Sequence, residues 1–363
     1  MTQLTSRFKS IRLFMIFAVL LAIIVTSCSK KDSTPVTPPA DKAALAVAIT
    51  SAQALSTNTA EGTKPGQYEA GSKTALTAAL TASIAVNTNT AASQASVNNA
   101  LAQLTAAILA YQGHLIKEIA DANLIGYWKF NGNANDSSGK GNNGVATVGA
   151  AYYGAGTLEL TSDRFGRAGM AYHFDKGANV DVPYSVSLNP QQMSISLWAK
   201  KSLGTPVRSI NTDTYTMVAL NRWNGYKLQL QSANKVFYTV RTIRAVGDTN
   251  YINQDDETGV LLVDTWYHIV VTYKIGELKF YLNGDLVKTW TGTDAPGSPV
   301  TLANPIDFVI GQDLPTNKYL TVDGDFQVAW GGFWTGDMDD VMFYNTVLDG
   351  PQVKSIYDNQ KTL

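Results

Sequence analysis

The sequence predicts a mainly β protein, an antiparallel β-sandwich preceded by a small three-helix bundle. Three observations carry this. From Asp41 to about Ala122, apolar residues recur at helical spacing. From Asn123 onward the period changes to two, in short runs such as "SISLWAK", "KLQLQ", "WYHIVVTY" and "DDVMFYN" separated by Gly, Asn, Asp and Pro. Within the second region "YLNGD" sets Asn283-Gly284 between two β-rich runs, the strongest short-range hairpin signal a sequence offers.

Taken in order, residues 1–27 read as a signal peptide. Arg7, Lys9 and Arg12 precede a thirteen-residue apolar run, Leu13 to Val25, too short to span a membrane comfortably. Cys28, the single cysteine of the 363 residues, follows small residues directly after that run and resembles the lipobox cysteine of bacterial lipoproteins. The resemblance implies acylation of Cys28 and a lipid-anchored place at the cell outer membrane, surface or periplasmic face left open. The alternative is an ordinary cleaved signal with an incidental cysteine. Acyl chains stabilise membrane attachment by about 0.8 kcal/mol per buried methylene. Residues 28–41, "CSKKDSTPVTPPAD", have little to bury and predict an extended tether.

Residues 42–122 predict three helices. Their stripes are Leu45, Ile49, Ala52; then Leu76, Leu80, Ile84; then Val97, Leu101, Leu104, Ile108, Tyr111, Leu115. "GTKPGQY" and "NTNTAAS" interrupt them, and Asn89 or Thr90 is expected to cap the third helix. "PGQY" and "ALAQLTAAILAY" resemble the FIVAR module, a helical spacer of extracellular sugar-active proteins. A plain spacer bundle is the alternative.

Residues 123–363 resemble the laminin-G-like branch of the concanavalin A-like lectin/glucanase superfamily, a jelly-roll sandwich. Four blocks in order carry the likeness: "GYWKFNGNANDSSGKGNNG", "GMAYHFDKGANVDVP" with "MSISLWAK", "DTWYHIVVTYKIGELKFYLNGDLV", and "FWTGDMDDVMFYNTVLDGPQVKSIY". Ser202 to Val260 has no family pattern. The resemblance implies binding of a polysaccharide or other glycan, with a protein-interaction or adhesion module as the alternative and a glycoside hydrolase third.

Catalysis finds no support in the residues. Glycosidases need two carboxylates about 5–10 Å apart. The β region holds three glutamates, Glu159, Glu257 and Glu277, none with a partner two residues away, and the laminarinase-like E-x-D-x-E run is absent. His173 and His268 alternate with apolar neighbours, which predicts packed roles, and no Ser-His-Asp grouping emerges. A non-enzyme is expected. The net charge of -1 leaves no basic stripe for nucleic acid.

"GKGNNG" satisfies G-x-G-x-x-G but precedes an extended stretch, which excludes a phosphate cradle. Asn131, Asn133 and Asn135 mimic the start of a helix-flanked calcium loop, yet Asp136 stands where Gly is required. A structural calcium is expected instead from the fold: Asp136, Asp339 and Asp340 brought together by the first and last strands. Asp339 shares the parity of Val341 and Phe343 and is expected to face the core with them. The alternative gives Asp339 loop amides in place of a cation. For sugar, Trp223 with Arg222, Asn224 and Tyr226, together with Trp330 and Trp334, sit among Gly and polar residues and are the candidate contacts, with buried packing as the alternative for each tryptophan.

Overall fold

The computed structural model describes residues 38–203, 215–244, 247–259, 261–292, 297–299, 302, 304–319 and 332–362. Cys28, the signal peptide, most of the tether and Trp330 lie outside the described residues.

Three helices, α1 (Ala43–Asn58), α2 (Lys73–Thr88) and α3 (Gln94–Gly113), pack around Leu45, Ile49, Leu76, Leu80, Val97, Leu104 and Tyr111. The stripes read from the sequence are thus the bundle core. The cap of α3 is Ser93, not Asn89 or Thr90. Its side chain accepts from Ser96 N at 3.2 Å, whereas Asn89 Oδ1 accepts from Ala91 N at 2.9 Å. Between α1 and α2, two short parallel strands, β1 (Glu61–Gly62) and β2 (Tyr68–Glu69), close the "GTKPGQY" turn, and Tyr68 stacks on Tyr111 at 4.2 Å.

The remainder is a two-sheet sandwich. In chain order the strands are β3 (Leu124–Trp128), β4 (Val145–Thr147), β5 (Glu159–Thr161), β6 (Ala171–Phe174), β7 (Asn179–Val182), β8 (Met193–Lys201), β9 (Tyr215–Leu220), β10 (Tyr226–Gln231), β11 (Lys235–Arg244), β12 (Thr249–Asp255), β13 (Trp266–Lys274), β14 (Glu277–Leu282), β15 (Asp285–Thr291), β16 (Gly297–Pro299), β17 (Phe308–Ile310) and β18 (Gly336–Tyr344). One sheet runs β12-β11-β10-β9-β17-β7-β4, with β16 beside β11. The other runs β15-β14-β13-β8-β18-β6-β5, with β3 beside β18. All pairings within both sheets are antiparallel. Asn283 and Gly284, both at positive φ, make the expected two-residue hairpin between β14 and β15.

The inner faces of the two sheets share one core, built from Trp128, Phe174, Leu197, Leu228, Tyr238, Val271, Phe308 and Phe343 among others. Their outer faces differ. That of the β8/β13/β18 sheet is covered by α4 (Gly350–Gln360), whose Val353 packs with Val270, Tyr281, Met342 and Tyr344. A capping box of Asp349 and Gln352 starts α4. The same helix holds the bundle: Ser355 Oγ donates to the Thr63 carbonyl, Gln352 Nε2 reaches the Lys117 and Glu118 carbonyls at 3.4 Å, and Lys117 pairs with Asp349 at 3.2 Å. The helical module therefore attaches through the α4 side of the sandwich.

Candidate functional site

The opposite outer face, on β9 to β12, is polar. Tyr226, Leu228 and Leu230 turn into the core, so Lys227 and Gln229 point away from it. Thr239 and Arg241 of β11 do the same, because Tyr238 and Val240 face inward. The register sets Ala219, Lys227, Thr239 and Asn253 in one row across four strands, with Gln229 opposite Thr216 and Arg241 opposite Tyr251. Lys227, Gln229, Thr216 and Thr239 are nevertheless buried.

A single turn, Arg222 to Asn224, lies at the rim of this face. Asn221 and Arg222 both hold left-handed φ values, +57° and +48°, a conformation that costs of order 1–3 kcal/mol per residue and persists only where the surroundings enforce it. Gly225 returns the chain against β9: a Cβ there would meet the Leu220 carbonyl oxygen at 2.1 Å. The result holds Trp223 outward, 36% exposed, with Lys227 Nζ 3.7 Å from its ring centroid.

Beneath the turn, Arg222 is buried and its Nε donates to Asp313 Oδ2 at 2.6 Å. Arg222 Nη2 reaches Tyr319 Oη at 3.0 Å, and the Tyr319 hydroxyl also bonds Asp313. Tyr153, Leu314 and Phe333 pack below as an apolar floor. Asp313 and Arg222 compensate each other. Lys227 does not share such a pairing: it makes no ion pair or hydrogen bond to any described residue, and burial lowers its pKa to about 8, against the opposing pull of Asp313. Arg241 gives Nη1 to Asn224 Oδ1 at 3.0 Å and lies 6.0 Å from the centre of Tyr251, itself 41% exposed.

Of the side chains expected to contact sugar, the structure therefore groups Arg222, Trp223 and Asn224, and among the described aromatic ones only Trp223 is exposed. Tyr226 is corrected to a core residue. It is fully buried, donates to the Leu188 carbonyl at 2.7 Å, and shares the parity of Leu228. Trp334 is likewise corrected: it packs edge-on against Tyr215 within the sandwich core. Lys227, Arg241, Tyr251, Asp313 and Tyr319 were not anticipated. The period-two reading of "KLQLQ" held the signal for Lys227, since it leaves Lys227 and Gln229 on the face away from the core.

The calcium ligands expected from the sequence do not converge. Asp136 Oδ1 accepts from Tyr127 N and Ser138 N at 2.9 and 2.8 Å, and Oδ2 from Asn142 N at 3.0 Å. Burial opposes its ionisation, but these bonds hold its pKa below the usual range. Asp339 and Asp340 instead take Arg164, at 2.6 and 2.8 Å. The inward orientation of Asp339 is also corrected. A β-bulge at Asp340, φ +48°, inserts one residue, so Val341 and Phe343 face the core while Asp339 faces α4, where Arg164 binds the Gln360 carbonyl and lies 4.6 Å from the Trp198 ring. Burial, then the Asp340 charge, pushes the Asp339 pKa up. The donor sets do not suit calcium, which takes six to eight oxygens, and no group of three or more His, Cys, Asp or Glu able to hold a metal occurs among the described residues.

His268 is buried, bonds Ser196 Oγ at 2.9 Å and stacks near Trp198 and Tyr357; burial drives its pKa down to about 3. It is the packed residue expected from the alternation. On the polar face, Asp181 has a pKa raised to about 6, first by burial and then by Asp307.

Residues 174–354 match the family described as the concanavalin A-like lectin/glucanases superfamily. This stretch of the chain is a concanavalin A-like domain. The concanavalin A-like domain contains the whole Trp223 face, from β7 to β18. No curated protein matches the chain. Among solved structures, domain 4 of AbnA, an extracellular arabinanase from Geobacillus stearothermophilus in complex with arabinotriose, is 18% identical, covering 65% of this chain and 98% of that one at a TM-score of 0.45. The binding domain of Paraclostridial Mosquitocidal Protein 1 is 15% identical, covering 66% and 52%, at 0.44. The botulinum neurotoxin serotype D ligand-binding domain in complex with N-acetylneuraminic acid is 17% identical, covering 66% and 52%, at 0.43. The chain thus spans about half the length of these two toxin domains.

Proposed function

We propose that this protein is a membrane-anchored surface lipoprotein whose concanavalin A-like domain binds glycan without cleaving it. The exposed indole of Trp223, at the rim of a buried polar patch, carries this reading. A pyranose ring needs an apolar aromatic plane for its C–H face and fixed polar groups for its hydroxyls, and Trp223 and Tyr251 flank Asn224 and Arg241 in that manner. In the same sense, Gln229 Oε1 and Thr216 Oγ1 are buried with no hydrogen bond to any described residue, an arrangement costing about 1–3 kcal/mol per group. Sugar hydroxyls have the complementary chemistry.

Retention of the full chain, in non-ionic detergent, on native gels containing a panel of polysaccharides tests the reading. Trp223→Ala is expected to abolish retention while lowering stability by no more than about 1–2 kcal/mol, the worth of its ring contact with Lys227. An unchanged retention profile in that variant refutes the site. Reducing-sugar release from the same panel is expected at blank level, and release that disappears in Asp181→Asn would refute the non-catalytic reading. Anchoring through Cys28 predicts palmitate incorporation that Cys28→Ser eliminates.

A further inference from the structure

We propose that the Trp223 face recognises an acidic sugar, with Arg241 contacting the carboxylate of a uronic acid residue and Lys227 supplying the second positive charge from beneath. This rests on the glycan-binding reading and names its substrate class.

The charges on this face are unbalanced. Arg222 is neutralised by Asp313, whereas Lys227 and Arg241 face no carboxylate partner among the described residues. Nearby acids are taken: Asp255 by Gln231 and Lys235, Asp248 by Arg244. Asp181 lies on the same face but three strands from Lys227, about 14 Å at the usual strand spacing. Lys227 and Arg241 are diagonal neighbours, since Lys227 pairs with Thr239 two residues before Arg241, which places their charges within reach of one ligand group.

Neither cation has the surroundings of a structural residue. Lys227 is 1% exposed, and among the described residues its Nζ meets only an aromatic ring. A lone buried ammonium is unfavourable, and an apolar side chain of the same length would fill the space without that cost. Arg241 leaves its Nε buried with no acceptor among the described residues and spends Nη1 on a neutral amide. A planar carboxylate matches the guanidinium fork, and between Trp223 and Tyr251 a ring bearing one stacks in place.

The test uses the full chain in non-ionic detergent and affinity gels containing polygalacturonate, alginate or hyaluronan, each beside its carboxyl-reduced counterpart, with neutral glucans alongside. At least one uronan is expected to retard the protein at a concentration tenfold or more below that of its reduced form. Lys227→Met and Arg241→Gln are each expected to remove that preference, while Lys140→Gln, which changes an exposed lysine elsewhere, leaves it intact. Thermal melts confirm that the variants fold. Equal retention by acidic and reduced polymers, or by neutral glucans alone, overturns the acidic specificity and leaves the glycan reading standing. An equal loss in Lys140→Gln overturns it as non-specific charge attraction. Absence of retention on every acidic, reduced and neutral polymer overturns both.

Discussion

Replacing Lys227 with methionine removes a charge and keeps a side chain of similar length, so its effect on stability can be worked from the structure. Burial, opposed by Asp313 and reinforced by Arg222, takes the Lys227 pKa from 10.5 to about 8. At about 1.4 kcal/mol per pKa unit, holding the ammonium in place costs about 3 kcal/mol. That cost is the net difference between the charged and the neutral side chain, so Lys227→Met should stabilise the protein by up to about 3 kcal/mol at neutral pH. The sign with pH follows from proton counting. Below about 8 both folded and unfolded chains carry the proton, and the whole penalty is present. Between about 8 and 10.5 the unfolded chain binds more protons than the folded one, so wild-type stability rises relative to the variant and the gap closes. Urea unfolding followed by tryptophan fluorescence measures this in the sandwich alone, because all seven tryptophans lie beyond the helical module. Comparing the two proteins at each pH cancels the ionisation of the buried tyrosines. A variant less stable than wild type at pH 7, or a gap that does not shrink from pH 8 to 10.5, would refute the placement of a desolvated cation at Lys227.

Other perturbations read other parts of the fold. Arg164→Met leaves Asp339 and Asp340 buried without their cation and should cost about 3–5 kcal/mol in the same urea assay; adding Asp339→Asn and Asp340→Asn should recover part of the loss, and full stability of the single variant would count against the cluster. His173 has its pKa raised by a hydrogen bond with Asp337, burial opposing. It therefore contributes stability that is present below pH 6.5 and lost as the pH rises through its folded pKa, and His173→Gln should flatten that slope in thermal melts. Chelation by EDTA should leave the melting midpoint unchanged, since amides and Arg164 already satisfy Asp136, Asp339 and Asp340; a lowered midpoint restored by calcium would reverse this.

Signals confined to a few neighbouring residues were legible in the sequence. Asn283-Gly284 specifies its own turn, and the stripes of Leu45, Leu76 and Leu104 specify the bundle, because each depends on spacing along one segment. The start of α4 was also written locally, in Asp349, Pro351 and Gln352, although the strand-rich surroundings concealed it. Parity carried Tyr226 to the core, and it is the context of polar neighbours that misleadingly suggested otherwise. The bulge at Asp340 was not readable, since one inserted residue reverses the face of Asp339 without disturbing the alternation on either side. Nor was the site's base: Arg222 meets Asp313 across 91 positions, and only the sheet order brings them together. The uncompensated charge of Lys227 depends on what the fold fails to place beside it, which no local pattern records.

The two outer faces of the sandwich differ in what covers them. On one, α4 seals the β8/β13/β18 sheet and hydrogen-bonds the Thr63 loop and the segment from Lys117 to Glu118, so the helical module is fastened there. On the other, the β9–β12 sheet keeps buried polar groups and exposed aromatic rings without a comparable cover of packed apolar helix among the described residues. A module attached on the α4 side leaves the Trp223 face pointing away from the attachment, and a tether running from the first helix to a lipid would do the same. Stability favours replacing Lys227 with an apolar residue, and a surface needed only for solubility would not bury Gln229 and Thr216. Under the proposed anchoring, a face that retains them opposite the point of attachment is the one such a protein would present outward.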